Sequence, residues 1–78
     1  MKIEYFGSTD DAPGEARTFI VQITEHRHSR LTSFVSKPQT IAQMRRRSWV
    51  EVFAQDVRTK RSVCARYYHQ KKTLVLTD

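Results

Sequence analysis

From Ser48 to Asp56 the apolar side chains fall on every second residue: Val50, Val52 and Ala54 alternate with Trp49, Glu51, Phe53 and Gln55. A period of two gives a strand one apolar face, whereas on a helix the same residues would scatter around most of the circumference. A strand with an apolar face needs neighbours, so this stretch commits the chain to a sheet.

Other segments repeat the pattern. Ser62 to His69 is rich in β-formers, with Val63, Ala65 and Tyr67 on one side and Cys64, Arg66 and Tyr68 on the other. Met1 to Phe6 carries Ile3 and Tyr5 in alternation, and Ala16 to His26 sets Phe19, Val21 and Ile23 against Thr18, Gln22 and Thr24. Thr73 to Thr77 reads as a final strand and Leu31 to Val35 as a short third one. Gly7 to Glu15, with Asp, Ser, Pro and Gly together, is the clearest loop and would join the first two strands into a long hairpin. Its Asp10 and Asp11 read as a solvated turn. His26 to Arg30, Val57 to Arg61 and Lys71–Lys72 are the remaining turns. None has the Asn-Gly or Asp-Gly signature that fixes hairpin register.

Only one helix fits. Ser36 and Gln39 have capping-box spacing, Pro38 is tolerated in a first turn, and Ile41 and Met44 then share a face. The strand pattern stops this helix near Arg47. The expected fold class is α+β, an antiparallel β-sheet of about five to six strands with one α-helix packed on one face, in the order ββ(β)αβββ. The expected core is Ile3, Tyr5, Phe19, Val21, Ile23, Val50, Val52, Val63, Ala65, Leu74 and Leu76, joined by Ile41 and Met44.

A chain of 78 residues makes a single domain, 1–78, with a limited core, and association into a homodimer is compatible with that size. Its apolar share of 38% is too high for a disordered segment. One cysteine, Cys64, excludes an internal disulfide framework and fits a reducing compartment. No apolar leader and no run near the roughly 18–20 residues of a membrane span occur, so a cytoplasmic location and no membrane partner are expected.

The net charge of +6 is unevenly placed: residues 1–44 hold five Lys/Arg and five acids, residues 45–78 nine and three. Between Arg45 and Lys72 the cations are Arg45, Arg46, Arg47, Arg58, Lys60, Arg61, Arg66, Lys71 and Lys72, and Trp49, Phe53, Tyr67 and Tyr68 are interleaved with them. Cations for phosphates and flat rings for bases are what a polyanion site needs. If the faces alternate as above, Trp49, Phe53, Arg66 and Tyr68 lie together away from the core, with Trp49 or Tyr68 supplying stacking. The expected role is non-catalytic binding of nucleic acid, or of a nucleic-acid–protein complex, through this basic and aromatic C-terminal half.

Two further readings use the same surface. Arg, Tyr and Trp also dominate protein interfaces, so the chain could be a phage- or plasmid-type inhibitor that covers an acidic protein or ribonucleoprotein, for example as an anti-CRISPR-like blocker. A basic face that only keeps a small domain in solution is the blander alternative. No zinc-finger spacing, helix-turn-helix pair, RNP-like consensus or GXXG loop is present. His26, His28, Cys64 and His69 lack paired local spacing, so no metal or other cofactor is expected. No nucleophile elbow, Gly-rich phosphate loop or carboxylate pair occurs. The one enzymatic option is RNA cleavage by His69 with Tyr67, Tyr68, Arg66 and Lys71, and the expectation is that the chain is not an enzyme.

Overall fold

The computed structural model describes residues 1–7, 14–27, 29–55 and 59–77. In chain order they form β1 (Lys2–Gly7), a 3-10 turn (Gly14–Ala16), β2 (Thr18–Arg27), β3 (Arg30–Ser36), β4 (Gln39–Thr40), α1 (Ile41–Arg46), β5 (Val50–Gln55), β6 (Ser62–Tyr68) and β7 (Thr73–Leu76). Each segment with period-two patterning is a strand, and Ser48–Asp56 contributes β5 rather than a longer helix. Most of the Gly7–Glu15 loop, including Asp10 and Asp11, lies outside the described residues, as do His28 and Arg58.

All pairings are antiparallel, in the lateral order β1-β2-β3-β5-β6-β7, with β4 also paired to β2. The sheet is therefore larger than expected, 7-stranded with β4 counted, and the fold is mostly β. It curls into a half-barrel. The curl is visible in one contact: the hydroxyls of Tyr67 on β6 and Tyr5 on β1 share a hydrogen bond although three strands lie between them. Burial pushes the Tyr67 phenol above the ordinary tyrosine value of 10.0, and the neighbouring Tyr5 pushes it further in the same direction.

The bend has a local origin at Ser36. Between the pairs Gln22↔Val35 and Phe19↔Gln39, Ile20 and Val21 oppose Ser36, Lys37 and Pro38. The extra residue is a bulge, which twists a strand and interrupts its ladder. Pro38 has no N–H to lose there. The Val21 N–H left over by the bulge donates to the buried Ser36 Oγ at 2.9 Å. Ser36 therefore closes a sheet and does not open a helix.

The helix begins later than Ser36 and is shorter than expected. Thr40 is its N-cap: the Gln43 N–H donates to Thr40 Oγ1 at 3.1 Å, and the Thr40 N–H donates to Gln43 Oε1 at 3.0 Å. This capping box satisfies two otherwise free backbone donors. The helix lies against the 3-10 turn and β4 rather than across a whole sheet face, and none of its residues is fully buried. Ile41 and Met44 pack on the core from this end.

Inside the half-barrel sit Phe19, Val21, Ile23, Phe34, Val50, Val52, Ala54, Ala65 and Tyr67. Val21, Ile23, Val52 and Ala65 have no exposed surface at all. Fully burying a Val or Ile side chain contributes about 1.5–3 kcal/mol each, so this cluster is the main source of stability. Two expected core residues stand on the correct face but at its rim: Tyr5 is 50% exposed and Leu76 59%. They belong to β1 and β7, the two edges of the sheet, which have a neighbour on one side only. Phe34, absent from the expected core, pairs with Ile23 and is buried.

Candidate nucleic-acid interface

Because side chains alternate across β5 and β6, the residues between the core positions form the outer face of that hairpin. Glu51 pairs with Arg66, and Phe53 with Cys64. Extending the Val50↔Tyr67 register by one step sets Trp49 opposite Tyr68. Trp49 and Tyr68 are partly buried, while Arg66 is exposed.

Trp49 is the centre of this face. The Arg66 guanidinium carbon lies 4.2 Å from the indole centroid, and that of Arg47 lies 5.4 Å away. Both are within cation–π range. A guanidinium held over a ring keeps N–H donors that a phosphate can still engage. The indole holds two cations in place, and Tyr68 is the ring left beside them.

The helix supplies the rest of the charge. Arg45 and Arg46 occupy its last turn and Arg47 its C-cap, where cations meet the carbonyl end of the helix favourably. All three are exposed. The turn from β6 to β7 is fastened to this end, because His69 Nε2 lies 2.8 Å from the Arg47 carbonyl oxygen. A carbonyl only accepts, so Nε2 carries the proton and donates. The tie brings the turn that carries exposed Lys71 and Lys72 beside the helix C-terminus. Lys72 adopts a left-handed φ of 52° there, and the Thr73 hydroxyl donates to the Lys71 carbonyl at 3.0 Å. A shallow open depression beside this turn is lined by Tyr68, Lys71, Thr73 and Val75.

Of the sequence-predicted set, Arg45, Arg46, Arg47, Trp49, Arg66, Tyr68, Lys71 and Lys72 thus gather at one end of the β5–β6 hairpin. Lys60 and Arg61 do not join them. They lie in the opposite turn, a six-residue strand away, or about 20 Å. Arg58 falls outside the described residues. The residues considered for RNA cleavage are divided: Tyr67 points into the core, 2% exposed, while His69 holds the helix end.

One participant escaped the sequence reading. Lys37 Nζ lies 5.9 Å from the Phe53 ring centroid on the same outer face. Lys37 follows β3, whose Val35 pairs with Phe53, so only the non-local pairing of β3 with β5 could have revealed the contact.

Among the described residues no group of three or more His, Cys, Asp or Glu is placed to hold a metal ion, and no helix is long and apolar enough to cross a membrane. No protein-family model, curated protein or solved structure matches the chain. Function is therefore read from the residues themselves.

Proposed function

We propose that this chain binds nucleic acid without acting on it chemically, through the helix end and the adjoining outer face of β5 and β6. The observation that carries the reading is Trp49 with the guanidiniums of Arg66 and Arg47 over its ring at 4.2 and 5.4 Å from the centroid, next to the exposed Arg45 and Arg46. Arginines held on a ring lose less freedom when they grip a phosphate than arginines that swing free. Arg45, Arg46, Arg47, Arg66, Lys71 and Lys72 supply the phosphate contacts in this reading, and Tyr68 supplies a ring for one base. Glu51 is the one carboxylate on the outer face of β5.

The test is a fluorescence-anisotropy titration of labelled single- and double-stranded DNA and RNA at low and at physiological salt. Saturable binding that weakens linearly in log salt supports phosphate recognition. No binding at low salt removes the proposal and makes an acidic protein surface the leading ligand, because the same Arg and aromatic residues suit a protein interface.

A further inference from the structure

We infer that the ligand is a single nucleic-acid strand laid along the outer face of the β5–β6 hairpin, with Lys37 and Phe53 forming a second contact station. The inference rests on the nucleic-acid reading above and adds the path, the strand type and two residues.

Trp49, immediately before β5, and Phe53 within it face outward, four residues or about 13 Å apart. Each carries a cation over its ring: Arg66 at 4.2 Å on Trp49, and Lys37 at 5.9 Å on Phe53. The two cations come from opposite sides of β5, Arg66 from β6 and Lys37 from the end of β3. The result is a line of two ring-and-cation pairs, with a cation on either flank. Glu51 stands between the stations, directly opposite Arg66. Its carboxylate disfavours a phosphate midway, so the stations act as separate phosphate contacts. Past Phe53 the line runs by Gln55 and Ser62 towards the exposed Lys60 and Arg61.

The strand type follows from shape. The outer face of a half-barrel is convex across its strands, so a duplex lying along β5 meets it by one narrow strip and leaves its second strand uncontacted. α1 has six residues and packs against β4 and the 3-10 turn, so it does not project as a groove-reading helix. A single strand can follow a curved face and turn its bases onto rings spaced along it.

The experiment compares labelled oligo-dT and oligo-U of about 4 and about 12 nucleotides, with a 12-base-pair duplex as control, against the wild type, Lys37→Gln and Phe53→Leu. Phe53→Leu keeps an apolar side chain on a partly buried position, and urea midpoints check that both variants fold. The expected result is that the long strand binds tighter than the short one and weakens roughly 5-fold or more in each variant. The short strand, held at the Trp49 end, is unaffected. Lys37→Gln also lowers the salt slope for the long strand by about 0.7. A dT preference or a U preference identifies the source of the strand. If the long strand binds the variants as it binds the wild type, the second station is refuted while the Trp49 site stands. Tighter binding of the duplex than of either strand overturns the single-strand path. No binding of any nucleic acid overturns the functional proposal itself.

Discussion

The two faces of the β5–β6 hairpin are built from alternate residues of the same strands and do opposite work. Inside, Val50, Val52, Ala54, Ala65 and Tyr67 are buried; outside, Glu51 and Arg66 are exposed, and Phe53 is partly so. The inner face is held by apolar contact and by one hydroxyl pair, Tyr67 with Tyr5. The outer face is held by cations resting on rings. Such contacts add modestly to stability at exposed sites, about 0.5–1 kcal/mol each, but they fix where charge points. The difference teaches that, if the outer face binds nucleic acid as proposed, stability and recognition are separable, one residue apart along the chain.

That separation can be broken most forcefully from the inside. Tyr67→Ala removes a fully buried ring and is expected to cost about 3–5 kcal/mol, a large part of the stability of so small a domain. Urea unfolding reads this directly. Tyr67→Phe keeps the ring and loses the hydrogen bond to Tyr5, for about 1 kcal/mol. It also has a pH signature. The Tyr67 phenol is raised in the folded state, so the fold holds that proton more tightly than the unfolded chain does. Its contribution is fully present below the ordinary value of 10.0 and is lost as pH rises through the higher folded value. The gap in stability between wild type and Tyr67→Phe should therefore be constant at neutral pH and shrink in alkali. A gap that widens in alkali would contradict the assignment.

From the outside the expected effects fall mainly on binding, with only a small cost in stability. Trp49→Ala frees the Arg47 and Arg66 guanidiniums and should weaken nucleic-acid affinity roughly 5- to 10-fold, the equivalent of one or two exposed cation–π contacts. Anisotropy titration measures it, and an unchanged affinity would show that these arginines are ornaments of the fold. The smallest effect is of opposite sign. Glu51→Gln removes the carboxylate between the two ring-and-cation pairs and should tighten binding by roughly 2- to 5-fold, since like charge near a phosphate path costs on the order of 1 kcal/mol at the surface. Weaker binding in Glu51→Gln would mean that this carboxylate orients Arg66 instead of repelling the ligand.

The strands were legible because an apolar side chain on every second residue has few other uses. That pattern placed Val50, Val52, Val63 and Ala65 on the right face and ended the helix before Trp49. It was weaker in β3, where Leu31 and Val35 face out and Phe34 faces in, so both faces look apolar and the buried residue is not singled out. The helix start was misread because Ser36–Gln39 and Thr40–Gln43 have the same spacing. The choice between them depends on the bulge, where Ser36 Oγ is already committed to Val21. The charged residues of the site were legible by composition, but their grouping was not. Strand pairing sends Lys60 and Arg61 to the far turn and brings Lys37, far off in sequence, to Phe53. His69 drew attention as a chemical group, whereas its partner, a backbone carbonyl at Arg47, leaves no mark in the sequence.

The most direct test of the separation is the salt dependence of single-strand binding by the Arg45→Glu, Arg46→Glu, Arg47→Glu triple variant, read beside its urea midpoint. The expected result is that affinity collapses, that any residual binding has a salt slope lower by roughly 0.7 for each phosphate no longer gripped, and that the midpoint falls only by the small helix-end and ring contribution of these arginines. An unchanged affinity and slope, or a loss of binding that appears only together with a loss of folding, would contradict it.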